Sequence, residues 1–155
     1  MIKKINDIIN YNIIRIYQIF RFYTVWSIVI GVLFLKAPSF MRAAAIVNII
    51  CCSISGIVIM ALYGTKIAEH YHFTKNEAKI YDLVLHVLMP SVVVSWLLIN
   101  FKKYKLQHAV LLSGFIALFY VVSMDFNEIY AFVPNMHYFV FSFVILLLLL
   151  HVLLN

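Results

Sequence analysis

The sequence predicts an all-α integral membrane protein, a bundle of about five transmembrane helices preceded by an amphipathic N-terminal helix. Two observations predict this class. Of the 155 residues, 65% are hydrophobic and only 12% are charged, whereas soluble domains average about 45–50% apolar and about 25% charged residues. The apolar residues also form runs of the length that a helix needs to cross a bilayer, about 20 residues. A soluble domain would lack the polar surface to cover so much apolar bulk.

Five segments are long and apolar enough to span the membrane within a single domain, residues 1–155. They are residues 16–35, 43–63, 81–99, 107–124 and 136–154. Each is predicted to be helical, because in lipid only a helix or a closed barrel satisfies its own backbone. None of them alternates polar and apolar residues as a barrel strand would. The connections are short except for residues 64–80.

The first 20 residues have a different pattern. Apolar side chains recur there at helical spacing with polar residues between them: Ile5, Ile8, Ile9, Ile13, Ile16 and Phe20. This spacing predicts an amphipathic helix that lies at the membrane interface and leads into the first span. A cleaved signal peptide is disfavoured, because its charged region would be much shorter.

The formal net charge of +6 comes from twelve Lys and Arg residues scattered at the ends of the apolar runs. Long basic side chains at such positions extend towards lipid headgroups. Membrane lipids are therefore the expected partners, and nucleic acid is not. The cluster Lys102, Lys103 and Lys105 abuts two spans and favours a cytoplasmic location for residues 100–106.

Polar side chains inside a span are costly in lipid and therefore mark candidate functional sites. Asp82 and His86 lie four residues apart in the third span, which places them on one face of a helix. A carboxylate at that spacing can hold one imidazole nitrogen and leave the other basic. Pro90 removes the backbone hydrogen bond to the His86 carbonyl and predicts a kink, a common shape around cavities.

Thr24 in the first span is the candidate nucleophile. The first and third spans begin on the same side of the membrane, and Thr24 and His86 both lie in the first half of their helices. Their side chains are therefore predicted at similar depth, as a nucleophile and its base require. The competing structural interpretation is that the threonine hydroxyl bonds to its own helix backbone.

No metal or cofactor is expected. Glu69, His70 and His72 fall in the long connection, where two histidines at this spacing are typical of a solvated loop rather than a metal site. Two histidines at matched depth on facing helices could ligate haem. A haem-binding bundle or a small transporter therefore stays a distant alternative.

Several short motifs, taken in order, resemble a known membrane family. They are Phe22-Tyr23-Thr24-Val25-Trp26-Ser27, Arg42-Ala43-Ala44-Ala45, Ser55-Gly56, His86-Val87-Leu88-Met89-Pro90, Ser95-Trp96-Leu97-Leu98 and Lys102-Lys103. The set, over residues 20–135, resembles the androgen-induced and androgen-dependent TFPI-regulating proteins of animals and their bacterial six-helix relatives. The resemblance to the bacterial members implies a bacterial inner-membrane protein.

The animal members are intramembrane threonine hydrolases that cleave branched fatty-acid esters of hydroxy fatty acids. The resemblance therefore implies a hydrolase of fatty-acyl esters, with Thr24 as the nucleophile and His86 as its base. Asp82 is the candidate that orients the base. Further candidates, for the oxyanion or for substrate binding, are Ser27, Ser55 and Trp96.

Three positions depart from the family pattern: Ile28 replaces Asn, Ser55 replaces Thr and Ser95 replaces Asp. These changes are what a non-catalytic protein of the same fold would show. Such a protein, acting in lipid binding or as a subunit of a membrane complex, is the main alternative. The family has six spans, so the resemblance also implies that the first is missing here or is partly replaced by the amphipathic N-terminus.

Overall fold

The computed structural model describes residues 22–99, 101–123, 129–131, 133–134 and 136–155. Within these ranges the chain is helical and contains no strand. The five helices in the described residues are α1 (Tyr23–Leu33), α2 (Ser39–His70), α3 (Lys75–Leu98), α4 (Leu106–Ser123) and α5 (Met136–Leu154). Helices α2 to α5 are each long and apolar enough to cross a membrane, and α1 is a shorter apolar helix. The protein is therefore a multi-pass, all-helical membrane protein.

The predicted amphipathic helix at the N-terminus lies outside the described residues, as does the beginning of the predicted span 16–35. Helix α1 covers much of the remainder of that span. Helices α4 and α5 begin and end within one residue of the predicted spans 107–124 and 136–154.

The prediction of a long connection over residues 64–80 is wrong. Helix α2 continues to His70 and α3 begins at Lys75. A capping box fixes the second start: Thr74 Oγ1 accepts from the Glu77 N–H at 3.2 Å, and Glu77 Oε2 accepts from the Thr74 N–H at 2.8 Å. An apolar run marks only the part of a helix that lies in hydrocarbon, so it missed these polar turns.

Helix α2 packs against each of the other four helices. Its first turns present alanines, Ala43, Ala44 and Ala45, whose side chains are fully buried. Small residues let helix backbones approach closely in lipid. Gly31 on α1 serves the same end, because a Cβ there would lie 2.7 Å from Ile49 Cδ1 and 2.8 Å from Val93 Cγ1.

Buried hydrogen bonds reinforce this packing. The Tyr23 hydroxyl of α1 donates to Asn48 Oδ1 on α2, and the Asn48 amide donates to the Ala44 carbonyl at 2.8 Å. Ser113 of α4 donates to the same carbonyl at 3.3 Å, while His151 Nε2 of α5 lies 2.7 Å from the Ser113 hydroxyl. Three helices are thereby tied to one turn of α2.

Arg42 holds the end of α3. Its buried guanidinium donates to the carbonyls of Leu97 and Ile99, which the helix leaves without intrahelical partners. The cation also lies 5.8 Å from the centroid of the Phe101 ring. Positive charge at a helix C-terminus complements the helix dipole, so Arg42 fixes the position of α3 against the start of α2.

We expect the substitution Gly31→Ala to lower the free energy of unfolding by about 1–3 kcal/mol, because the new methyl group overpacks the contact of α1 with α2 and α3. Gly64→Ala is the matched control, since its Cβ would meet only the flexible Met60 side chain, with Sδ at 3.4 Å and Cγ at 3.9 Å. This control should leave stability unchanged or raise it by up to about 1 kcal/mol through helix propensity. Thermal unfolding in detergent measures both, and equal effects would contradict the packing role of Gly31.

Candidate active site

Thr24, His86 and Asp82 form one chain of hydrogen bonds. His86 Nδ1 lies 2.8 Å from Asp82 Oδ1, and His86 Nε2 lies 3.1 Å from Thr24 Oγ1. An ionised carboxylate can only accept, so Nδ1 carries the proton and donates to Asp82. Nε2 is then the acceptor, and the Thr24 hydroxyl donates to it. The structure thus brings together the three residues that the sequence singled out, in the geometry of a nucleophile, a base and an orienting acid.

All three side chains are withdrawn from the surface to different degrees. Thr24 is 5% exposed, and the side chains of His86 and Asp82 are 17% and 22% exposed. The Thr24 hydroxyl bonds to His86 across the contact between α1 and α3. All three residues line a cavity.

The segment that carries His86 is a π-helical turn, Val84–Leu88, inside α3. The Met89 N–H bonds to the Val84 carbonyl, five residues back, in place of the usual four. Pro90 follows directly and has no N–H to give to the His86 carbonyl. The sequence predicted a kink here. What the structure shows is a widened turn, a feature that occurs frequently at functional sites.

Gly56 of α2 provides the space that the imidazole occupies. A Cβ built on Gly56 would overlap the ring of His86, including Nε2. Only glycine therefore lets the two helices approach with the imidazole between them. In the sequence, Ser55-Gly56 stood out as one of several short motifs, and nothing there indicated that a candidate base packs against the glycine.

The site lies deep in the bundle. At 1.5 Å per residue, His86 is about 17 Å from either end of α3. The hydrocarbon core of a bilayer is about 30 Å thick. Residues 75–80 are mostly polar and precede the apolar run 81–99, so the imidazole lies about 8 Å inside the start of the apolar part of the helix.

A cavity of about 530 Å³ opens beside the three residues. Nearly all of its walls are apolar, and its described polar groups include Thr24, Ser55, Asp82 and His86. Aromatic side chains form much of the wall around the site, namely Phe22, Tyr23, Phe73, Tyr81, Tyr120, Tyr130, Phe139 and Phe143. This combination suits a largely apolar ligand that has one polar reacting group.

The structure separates the three candidate oxyanion donors. Ser55 lines the cavity. Ser27 does not, because its buried hydroxyl lies 3.3 Å from Cys52 Sγ. Trp96 is 52% exposed and does not line the cavity either. Of the three, only Ser55 shares a space with Thr24.

The remaining histidines form no second site of this kind within the described ranges. His151 is fully buried and bonds to Ser113, away from His86. Glu69 and His70 belong to the last turn of α2 rather than to a loop. In the part of the chain that the structure describes, no three His, Cys, Asp or Glu side chains are grouped as metal ligands.

Comparison of the chain with protein-family models, with curated proteins and with solved structures found no match. The site is therefore interpreted from its own geometry.

We expect Gly56→Ala to push the His86 ring away from Thr24, because the methyl group and the ring cannot occupy one place. The imidazole NMR signals of His86, assigned by their loss in His86→Gln, should shift. The free energy of unfolding should fall by about 1–3 kcal/mol. Gly64→Ala, on the same helix, should change neither. Unshifted His86 signals in Gly56→Ala would contradict the position of the His86 ring against Gly56.

Proposed function

We propose that the protein is an intramembrane hydrolase of fatty-acyl esters that uses Thr24 as its nucleophile. The observation that carries this proposal is the hydrogen-bonded chain Thr24–His86–Asp82 at the wall of an apolar cavity. A threonine hydroxyl is a weak nucleophile until a base takes its proton. Here His86 Nε2 is within hydrogen-bond distance of the hydroxyl. The Asp82 carboxylate holds the imidazole in the tautomer whose Nε2 can accept the proton.

In the proposed mechanism, Thr24 Oγ1 attacks the ester carbonyl while its proton passes to His86 Nε2. Asp82 accepts the hydrogen bond from Nδ1 and stabilises the imidazolium that forms. Collapse of the tetrahedral intermediate breaks the ester C–O bond, and the leaving alcohol takes the proton from Nε2. A water molecule then attacks the acyl-threonine, giving one proton to His86. The fatty acid departs, and Thr24 recovers its proton.

Ser55 is our candidate for the oxyanion donor. Serines inside membrane helices commonly bond back to their own helix, as Ser53 does to the Ile49 carbonyl at 2.8 Å. The Ser55 hydroxyl makes no hydrogen bond among the described residues, and it faces the cavity that Thr24 also lines. A hydroxyl in such a position can donate to the negative oxygen of the intermediate.

The resemblance to the androgen-induced and androgen-dependent TFPI-regulating proteins remains part of this proposal, as does a location in a bacterial inner membrane. Membrane lipids would be both surroundings and substrates. We also propose five spans, the first of which is the span 16–35 predicted from the sequence, which contains α1.

The main alternative is a non-catalytic protein that binds lipid in the same cavity. Two of the departures from the family pattern bear on it. Ile28 is buried in an apolar cluster with Ile46 and Val93, and the Ser95 hydroxyl donates to the Ser91 carbonyl at 2.7 Å. Neither residue lines the cavity, so these departures do not disturb the hydrogen bonds among Thr24, His86 and Asp82. The geometry therefore favours the hydrolase.

A fluorophosphonate probe tests the nucleophile directly. We expect the detergent-solubilised protein to be labelled, and Thr24→Ala and His86→Gln to lose labelling by at least about a hundredfold, because the hydroxyl or its base is gone. Thr65→Ala and His108→Gln are matched controls at exposed positions and should be labelled normally. In-gel fluorescence measures the labelling, and thermal unfolding checks that each variant is folded.

Labelling that persists in Thr24→Ala would exclude Thr24 as the nucleophile. A folded protein that neither reacts with the probe nor hydrolyses any fatty-acyl ester would instead favour the lipid-binding alternative.

Ser55→Ala tests the oxyanion donor. Loss of one such donor typically lowers kcat by about 10²–10³ with little effect on KM, and we expect this pattern for hydrolysis of a chromogenic acyl ester. Ser55→Thr keeps a hydroxyl and should retain most activity. Ser53→Ala makes the same chemical change two residues away and should be silent. If Ser53→Ala and Ser55→Ala behave alike, the assignment of Ser55 is wrong.

A further inference from the structure

The cavity extends well beyond Thr24, His86 and Asp82, along a groove between α4 and α5. The α4 side of this groove consists of Val110, Gly114, Ala117, Leu118 and Val121, and the α5 side of Met136, Val140, Val144, Leu147 and Leu148. All of these residues are apolar. Several are exposed at the surface of the bundle, among them Leu118, which is 61% exposed. The groove therefore joins the site to the surface that faces lipid.

The groove is elongated. Its wall covers about 16 Å of α4, from Val110 to Val121, and about 18 Å of α5, from Met136 to Leu148. Tyr23, next to Thr24 in sequence, packs against Tyr120 with the ring centroids 4.6 Å apart and the planes tilted by 35°, and its ring lies 5.8 Å from that of Phe143. The site thus adjoins the groove at the level of these two rings. A long apolar space that adjoins a reacting centre fits a linear hydrocarbon chain.

Gly114 is an exposed residue of the α4 wall. A Cβ built on Gly114 would meet no other atom within 4 Å, in contrast to Gly31 and Gly56, where packing excludes any side chain. Gly114 precedes Tyr120 by six residues, about 9 Å along the helix. A side chain added here would project into open space at a fixed distance from the site.

We propose that the acyl chain of the ester lies in the groove between α4 and α5, and that Gly114 limits the length of chain that the groove accepts. The inference rests on the proposed function, because it assigns the acyl part of that substrate to one arm of the cavity. The occupant is a long linear chain that enters sideways from the bilayer. Because lipid is itself apolar, selection among chains comes from fit rather than from burial of apolar surface.

The test uses Gly114→Phe and the smaller Gly114→Val, each in a Thr24→Ala background that binds without turnover. Leu111→Phe is the matched control, because Leu111 is 72% exposed on the same helix and does not line the cavity. Photoactivatable analogues of octanoic and palmitic acid are crosslinked to each protein, and the labelled peptides are identified by mass spectrometry. In parallel, the same substitutions with Thr24 intact are assayed on octanoyl and palmitoyl esters of one chromogenic alcohol.

We expect Gly114→Phe to reduce crosslinking of the palmitic analogue, relative to the octanoic one, by about tenfold or more. Gly114→Val should shift the ratio less, and Leu111→Phe should not shift it. In the parental protein, the palmitic analogue should label peptides of α4 or α5. An unchanged ratio in a folded Gly114→Phe, or labelling confined to other helices, would overturn the proposal.

The two readouts separate this inference from the proposed function. If crosslinking follows the expectation and neither ester is hydrolysed, the chain lies in the groove and the hydrolase proposal fails. If both esters are hydrolysed and Gly114→Phe leaves the chain preference unchanged, the hydrolase stands and the role of Gly114 is refuted.

Discussion

Helices in a bilayer gain little from burying apolar side chains against one another, because the surrounding lipid is equally apolar. Association must come from close packing and from polar bonds between helices. In this protein both are concentrated on α2, whose small residues let the other helices approach and whose Asn48 and Ala44 accept hydrogen bonds from Tyr23 of α1 and Ser113 of α4. The position of every other described helix follows from that contact, and so does the place of the imidazole against Gly56.

The π-helical turn of α3 also depends on hydrogen bonds to neighbouring helices. A π-helical turn costs regular hydrogen bonding and persists only where its surroundings compensate. Here His86 bonds on both sides, to Asp82 on its own helix and to Thr24 on α1. Arg42 fixes the far end of the helix through the carbonyls that follow the last turn. These bonds hold the π-helical turn and the end of α3 in place, so the His86 ring has a defined orientation.

Much of this arrangement could be predicted from sequence, because its causes are local. Apolar runs located the long helices, and a spacing of four placed Asp82 and His86 on one face. The relation of Thr24 to His86 needed only equal depth in two neighbouring helices. The true ends of α2 and α3 could not be found in this way, since their last polar turns lie outside the apolar run.

Other features escaped prediction because they depend on how helices are rotated about their axes. Ser27 and Ser55 looked equivalent in sequence, yet one hydroxyl faces Cys52 and the other faces the cavity. Trp96 lies on the outer side of α3. The space at Gly56 is equally invisible in sequence, because the ring that fills it comes from another helix.

The depth of His86 has a consequence for how an acyl-threonine would be resolved. Between the apolar walls of the cavity, water is scarce, whereas lipid molecules that carry hydroxyl groups could diffuse sideways into the groove. A base poised at Nε2 activates an alcohol as readily as it activates water. If the proposed hydrolase activity holds, the acyl group would then be divided between hydrolysis and transfer to a lipid alcohol. That division would depend on how often water reaches His86, which makes the supply of water, rather than the strength of the base, the variable that sets the product.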